Sequence, residues 1–229
     1  MAYPSKAWAG VVFSGLPEDE AQNRLMSAIL QCCYVDEKEH IVRWDRHIAE
    51  IRALSERFSA ANITRLHFTS AQTRTDITIG LCEDNVWAGG ANTLPSGATY
   101  TFNMPTEEIY NAPHTSRVDG FIRFSKPCCF AGDMIDDFWL AFQNGEVVDF
   151  GASVGYEILK SILNIDEGAK RLGEVAIVPY TNPVNQTGLF LRMRRRHGAG
   201  KRRRRSGRRY CARRFEPGND SGAYIFGSV

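Results

Sequence analysis

The stretch that decides the fold is "ITRLHFTSAQTRTDITIGL", residues 63–81. Apolar and polar side chains alternate through residues 63–69 and again through residues 75–81, with a polar segment between them. Such alternation is typical of half-buried β-strands, because successive side chains of a strand point to opposite faces of the sheet. We therefore predict two strands here, in a sheet that has one face on the core.

The sequence before these strands predicts two helices. In "GLPEDEAQNRLMSAILQCC", Pro17 is followed by three acidic residues, which favour the first turn of a helix. From Ile41 to Phe58 apolar residues recur at spacings of three and four, which predicts an amphipathic helix of about six turns with Asp36 as its N-cap. The start of the chain, "MAYPSKAWAGVVF", alternates small and large apolar residues, and we interpret it as another strand.

The sequence after these strands mixes both element types. Further strands are predicted in "GFIRFSKP", "DDFWLAFQNGEVVDF" and "EVAIVP". Within the second of these, Asn144-Gly145 predicts a tight hairpin turn. "GYEILKSILNIDEGAKRLG" predicts two short helical pieces that end at Gly173. Because strands and helices follow no strict βαβ order, we expect an α+β fold, a mixed sheet with flanking helices.

Charge divides the chain into two regions. Residues 192–229 hold 13 Lys+Arg and 2 Asp+Glu, a net charge of +11, whereas the preceding 191 residues hold 15 and 24, a net charge of −9. Hydrophobic periodicity ends at Leu191. We therefore expect one globular domain in residues 1–190 and a disordered, Arg-rich tail in residues 191–229.

The tail raises an alternative function, because a polycation binds nucleic acid through its phosphates in a salt-dependent and non-specific way. Residues 1–190 contain no RNP motif, KH loop or helix-turn-helix signal that would accompany such a role. They also contain no nucleophile elbow, P-loop or dinucleotide-binding fingerprint.

Cysteine usage and hydropathy indicate the cellular compartment of the protein. The six cysteines include two adjacent doublets and no CxxC pair, which excludes a zinc ribbon and a secreted disulfide framework and favours the reduced thiols of a cytoplasmic protein. The sequence has no run of 18 apolar residues and no signal-peptide pattern. We therefore expect no association with the membrane.

Two acidic positions could carry chemistry. Glu107 and Glu108 follow Thr106 in "NMPTEEIYNAPH", where the alternative is that Thr106 caps a helical turn and the acids lie at its positive end. Glu174 begins the apolar strand "EVAIVP". A carboxylate there either faces water or, if buried, needs a partner or a metal ion. Sequence spacing alone does not show whether these acids converge.

The histidines do not complete a metal site. His40 and His47 lie seven residues apart on one face of the predicted long helix, and without an HExxH motif we interpret them as surface residues. His114 lies in a predicted Pro-flanked loop, from which it could approach the acids.

A series of segments resembles the aminopeptidase T / aminopeptidase S family of metallo-aminopeptidases. They occur in family order over roughly residues 2–190: "AYPSKAWA", "LHFTS", "TDITIGL", "VWAGG", "NMPTEEIYNAPH", "VDGFIRFSKP", "GEVVDF", "GYEIL" and "DEGAKRLGEVAIVP". The resemblance implies part of the family's metal-binding domain and a hydrolase that releases N-terminal amino acids from peptides. It implies two divalent metal ions, zinc or cobalt, or else manganese or magnesium, and it also suggests a homodimer. The implied metal ligands are Glu108, chosen over Glu107, and Glu174.

The sequence also departs from that family. Family members have a further domain before the segment that matches Met1. After the region of "NQTGLF" they continue with a stretch that supplies a histidine ligand and a tyrosine, and later with a His-x-Asp pair. Arg-rich sequence stands here instead, so the catalytic residues stay unknown. We therefore expect a fragment without peptidase activity, in which residues from about 191 are out-of-frame translation.

Overall fold

The computed structural model describes residues 3–35, 38–101, 103–130, 132–187, 189, 209–212 and 221–228. The α-helices are α1 (Lys6–Val12), α2 (Glu18–Cys32), α3 (His40–Ala60), α4 (Tyr156–Leu163) and α5 (Pro183–Gln186), with a 3-10 helix at Glu167–Lys170. The strands are β1 (Arg65–Ser70), β2 (Thr75–Leu81), β3 (Ala88–Gly89), β4 (Ala91–Thr93), β5 (Thr99–Thr101), β6 (Ile109–Asn111), β7 (Pro113–Arg123), β8 (Cys128–Phe130), β9 (Asp133–Gln143), β10 (Glu146–Val154), β11 (Glu174–Pro179), β12 (Arg209–Ala212) and β13 (Ser221–Ser228).

A large antiparallel sheet has the strand order β1-β2-β7-β9-β10, with β8 paired to β9. The hairpin β1–β2 is the pair of strands that the alternation predicts, in register from Arg65↔Gly80 to Ser70↔Thr75. Ile77 and Ile79 of β2 are fully buried, so one face of the hairpin packs on the core as expected. The strand prediction for this region is confirmed.

The β9–β10 hairpin turns at Asn144-Gly145, as predicted, with φ angles of 51° and 80°. The turn also packs on β7, because Gly145 N–H donates to Val118 O at 2.9 Å. A Cβ at Gly145 would overlap the carbonyl oxygen of Thr115. Glycine is therefore required here both for its backbone conformation and for the close approach of the turn to β7.

The second sheet has the order β12-β13-β11-β6-β3 and is assembled from segments that are distant in sequence. Its β11 pairs antiparallel with β6, in register from Val175↔Asn111 to Ile177↔Ile109. On its other edge, β11 pairs antiparallel with β13. The short β4–β5 hairpin stands apart from both sheets.

One hydrophobic core joins the two sheets with helices α3 and α4, whereas α1 and α2 pack in a second, smaller cluster. The buried members of the larger core include Ile51 of α3, Ile79 of β2, Ile109 of β6, Phe138 of β9 and Leu159 of α4. Mixed helices and antiparallel sheets around a shared core confirm the predicted α+β class. No helix among the described residues is long and apolar enough to span a membrane.

The start of the chain differs from the prediction. Residues 6–12 form helix α1 and not a strand, and the Ser5 side chain accepts a hydrogen bond from Trp8 N–H at 3.2 Å as the N-cap. Ala9 is fully buried beside Leu25 of α2. Alanine has the highest helix propensity, and packing on α2 supplies the remaining stabilisation. The alternation of small and large residues in this segment therefore does not indicate a strand.

The long helix is confirmed, but it begins at His40, after Glu39 in a left-handed conformation with a φ of 61°. Asp36, the predicted N-cap, lies outside the described residues. The two helical pieces predicted after the β9–β10 hairpin are α4 and the 3-10 helix at Glu167–Lys170.

Within the region predicted to be a disordered tail, the structure describes only β12 and β13. There β13 pairs with β11 from Glu174↔Phe226 to Pro179↔Ser221, and the disorder of the tail stays a prediction. An unpaired strand edge exposes backbone N–H and C=O groups, and pairing satisfies them. The other residues of 191–229 lie outside the described part of the chain.

Candidate metal-binding glutamates

Glu108 and Glu174 lie at the ends of two hydrogen-bonded strands. Glu108 directly precedes β6, and Glu174 begins β11. The residue that follows each of them points into the core, because Ile109 and Val175 are both buried there. Since successive side chains of an extended chain alternate, both glutamates are directed to the opposite face of the second sheet.

The strand register sets the distance between these two positions. Extended beyond the paired residues, it would place Glu108 opposite Val178 and Glu174 opposite Ala112. The two glutamates are therefore offset by four residues, about 13 Å along the strands. An offset of this size leaves room for metal ions between the two carboxylates. It also keeps the backbones of the two glutamates out of direct contact.

The backbone at Glu108 is packed closely. A Cβ built on Gly89 of β3 would lie 2.6 Å from Glu108 O and 3.0 Å from Ile51 Cγ2 of α3. Glycine at this position thus lets strand β3 and helix α3 approach the backbone of the glutamate segment. Oε1 of Glu174 is itself buried. A buried carboxylate oxygen is costly unless a hydrogen-bond donor or a cation compensates it.

Glu107 has a different environment from Glu108. Its side chain is only 10% exposed, and its Oε1 lies 3.3 Å from Nε2 of His47 on α3. Nε2 of His47 also donates a hydrogen bond to Thr106 O at 2.7 Å. Because a carbonyl oxygen only accepts, Nε2 carries a hydrogen. Glu107 is therefore directed towards α3, on the side away from Glu108.

Two predictions for this segment are wrong. Thr106–Glu108 form no helical turn, because the segment leads into β6 and is held by pairing with β11 and β3. His47 is not a surface residue but is 7% exposed. It lies three residues after Trp44 and four before Ile51, on the apolar stripe of α3, and that spacing is the sequence signal for its burial.

Electrostatics couple the groups around His47. Burial alone lowers the pKa of His47, but the Glu107 carboxylate and the Thr106 carbonyl outweigh burial and raise it above its usual value of 6.5. The Tyr34 hydroxyl lies 3.4 Å from His47 Nδ1. Burial, together with the Glu107 charge, raises the pKa of Tyr34 well above its usual range. Arg43 lies over the Tyr34 ring, 4.7 Å from its centroid.

The structure brings no third candidate ligand to the two glutamates within its described residues. His114 lies in β7, where its Nδ1 accepts a hydrogen bond from Ser116 N–H at 3.2 Å. His67 pairs with Asp76 on the outer face of the large sheet, at 2.8 Å. No group of three or more His, Cys, Asp or Glu side chains in the described part of the chain could hold a metal ion. Glu108 and Glu174 thus match the carboxylate chemistry of a divalent-cation site, but they supply only part of a donor set.

Comparison with known proteins adds independent findings. The family model described as thermophilic metalloprotease (M29) matches residues 1–193. The chain is 42% identical to aminopeptidase T from Thermus aquaticus over 182 residues, which cover 80% of this chain and 44% of the relative. It is 38% identical to aminopeptidase 2 from Geobacillus stearothermophilus over 190 residues, which cover 83% of this chain and 46% of the relative.

A solved structure is similar as well. Wild-type AmpT from Thermus thermophilus matches with a TM-score of 0.77 and 38% sequence identity, over 82% of this chain and 46% of that chain. The chain therefore spans less than half the length of these relatives. None of the comparisons supports the nucleic-acid-binding alternative.

Proposed function

The chain belongs to the thermophilic metalloprotease (M29) family, as its sequence predicts, and from that membership we propose that it is part of a metal-dependent aminopeptidase. In this proposal the intact enzyme hydrolyses peptides and releases their N-terminal amino acids. The names of the relatives support the activity. The observation that carries the proposal is that the segments of Glu108 and Glu174, 66 positions apart in sequence, lie on neighbouring strands and share one sheet face.

In the proposed site Glu108 and Glu174 hold divalent metal. Two carboxylates without imidazole partners favour hard cations such as Mn²⁺ or Mg²⁺, whereas zinc or cobalt needs nitrogen donors in addition. When bound, such a cation supplies Lewis-acid polarisation of a carbonyl group. The part that these residues play is to anchor and orient the metal from two fixed strand ends.

Metal binding by the purified chain tests the two proposed ligands. Titration with Mn²⁺, followed by the electron paramagnetic resonance signal of the free ion, should show binding that Glu108→Gln and Glu174→Gln each weaken. Glu157→Gln, which changes an exposed glutamate of α4, is the matched control and should bind as the unaltered chain does. Equal binding by all three variants would contradict the proposed site.

We also propose that this chain alone is inactive as a peptidase. Its described residues provide fewer than three clustered ligand side chains. Purified protein incubated with leucine p-nitroanilide and Zn²⁺, Co²⁺ or Mn²⁺ should release no p-nitroaniline above the rate without protein. Aminopeptidase T from Thermus aquaticus is the positive control. Release by this chain that a chelator abolishes would overturn this proposal.

The change in sequence character near Phe190 supports a further part of the proposal. The family match stops at residue 193, where the Arg-rich sequence begins. We propose that residues from about 191 are out-of-frame translation and that the chain is a fragment of the enzyme. Resequencing the codons of residues 180–210 tests this: another frame that continues the family sequence is expected, and its absence would overturn the proposal.

The remaining properties follow from the same proposal. Peptides are the proposed substrates, and a homodimer is the proposed assembly. The proposed compartment is the cytoplasm, since none of the five cysteines whose side chains the structure describes forms a disulfide.

A further inference from the structure

His47 connects helix α3 to the segment that leads into Glu108. Its Nε2–H donates to Thr106 O at 2.7 Å, and the same nitrogen lies 3.3 Å from Glu107 Oε1. Its Nδ1 lies within hydrogen-bonding distance of the Tyr34 hydroxyl. Both ring nitrogens therefore have partners, and their common effect is to fix the two residues before Glu108 to the helix.

The other side of this segment is fixed as well. The backbone of Gly89 in β3 packs directly on the carbonyl oxygen of Glu108, with no room for a Cβ. The Ile51 side chain of α3 packs against the same position. Ile109, the next residue, is buried in the core. The backbone from Thr106 to Ile109 is therefore held by a helix, a strand and the core.

We propose that His47 is a positioning residue, which acts through Thr106 and Glu107 to set the direction from which Glu108 reaches the sheet face it shares with Glu174. This inference rests on the proposed function, in which those two glutamates hold metal. Groups behind a metal ligand typically change metal affinity by 10–100-fold when they are removed, because they keep the ligand pre-oriented. A histidine with only a structural role would change stability without changing metal affinity in proportion.

Two substitutions separate these roles. His47→Ala removes the hydrogen bond to Thr106 O and leaves Glu107 without its imidazole neighbour. His47→Gln keeps an N–H donor at a similar distance from the helix backbone. In Mn²⁺ titrations of the purified chain, we expect His47→Ala to weaken binding roughly tenfold and His47→Gln to restore most of it. Amide hydrogen exchange of residues 106–109, measured without metal, should quicken in His47→Ala and stay slow in His47→Gln.

The outcomes distinguish the positioning role of His47 from the proposed metal site on which it rests. If Glu108→Gln and Glu174→Gln weaken Mn²⁺ binding but folded His47→Ala binds like the unaltered chain, the positioning role is wrong and the proposed site stands. If none of these variants changes binding, both are wrong. Circular dichroism checks folding of each variant. Should His47→Ala not fold, Glu107→Gln replaces it, and unchanged Mn²⁺ affinity together with unchanged exchange at residues 106–109 would overturn the inference.

Discussion

The large sheet and the second sheet are both antiparallel, but the chain assembles them in different ways. In the large sheet, β1 and β2 form a local hairpin, and β9 and β10 are joined by a two-residue turn. In the second sheet, residues 112–173 separate β6 from β11, and β3 contributes only two residues. Local pairing thus forms the larger part of the scaffold, whereas non-local pairing brings the candidate glutamates together.

This difference has an energetic side. Closing a long loop costs entropy before its contacts form, so a short sheet made from distant segments depends on the core that it packs against. The second sheet meets this need through Ile109 and Val175, which lie in the same buried cluster as the large sheet's Ile79. The two sheets are therefore assembled in different ways but are stabilised by the same hydrophobic core.

The largest expected effects come from that shared core. Ile79→Ala in the large sheet and Ile109→Ala in the second should each cost about 2–5 kcal/mol, since both side chains are almost fully buried. Urea denaturation of both variants should show one transition with a lowered midpoint. Ile165→Ala, at an exposed isoleucine, is the matched control and should stay within about 0.5 kcal/mol. A second, separate transition in Ile109→Ala alone would break the view that the sheets share one core.

The next effect concerns the local hairpin of the large sheet. Gly145→Ala forces a left-handed conformation on alanine, at about 1–3 kcal/mol, and in addition pushes a methyl group into Thr115 O. Gly97→Ala, in the β4–β5 turn, has a similar φ of 86° but no atom within 4 Å of the added Cβ. Thermal unfolding should therefore show a larger loss for Gly145→Ala than for Gly97→Ala. Equal losses would mean that packing of the turn on β7 adds nothing.

A smaller effect concerns the pH dependence of stability near neutrality, through His47 of helix α3. His47 faces Glu107, Tyr34 and Arg43, and its folded-state pKa lies above 6.5, so protonation stabilises the folded protein. That contribution is complete below the unfolded-state pKa and is lost as pH rises through the folded-state pKa. We expect unfolding midpoints to fall over this interval, and His47→Gln to remove that slope.

The unaltered chain, measured over the same pH range as His47→Gln, is the control for this effect. A slope of equal size in both proteins would contradict the role of His47.

The smallest effect belongs to an exposed pair of the large sheet. Hydrogen bonds from Arg123 and Ser153 hold the pKa of Asp137 below its usual value of 3.8. Its stabilising contribution is present above that unfolded-state value and is lost as pH falls through the folded-state pKa. Asp137→Asn should therefore flatten the acid limb of the stability curve slightly. An acid limb of unchanged slope in this variant would argue against a specific role of the pair.

The same contrast explains how much could be predicted. Alternation in residues 63–81 and the Asn144-Gly145 pair identify elements of the large sheet, because those signals lie within a few residues of each other. The pairing of β6 is decided by β11, which is far away in sequence, and the local composition around Thr106 by itself favours a helical turn. The spacing of His47 from Trp44 and Ile51 does signal its burial, but its hydrogen bond to Thr106 O joins segments that are distant in sequence.

The choice of Glu108 and Glu174 as metal ligands follows from resemblance and stays a prediction. Physical reasoning from the sequence identified both as acids in unusual positions, but it could not pair them, since that requires the register of β6 against β11. The roles of Glu107 and Glu108 could not be separated either, because they differ only in which side of one strand they face.

Glu107 and Glu108 are identical in chemistry, so a slip of β6 by one residue would exchange them without altering the charge on either face. The slip would nevertheless expose Ile109 and turn Tyr110 towards the core, and it would move the Thr106 carbonyl away from His47. The burial of Ile109 and the hydrogen bond from helix α3 to the Thr106 carbonyl therefore both oppose the slip. Errors of this kind would accumulate first in molecules that lack His47, as a folded population with its two glutamates interchanged.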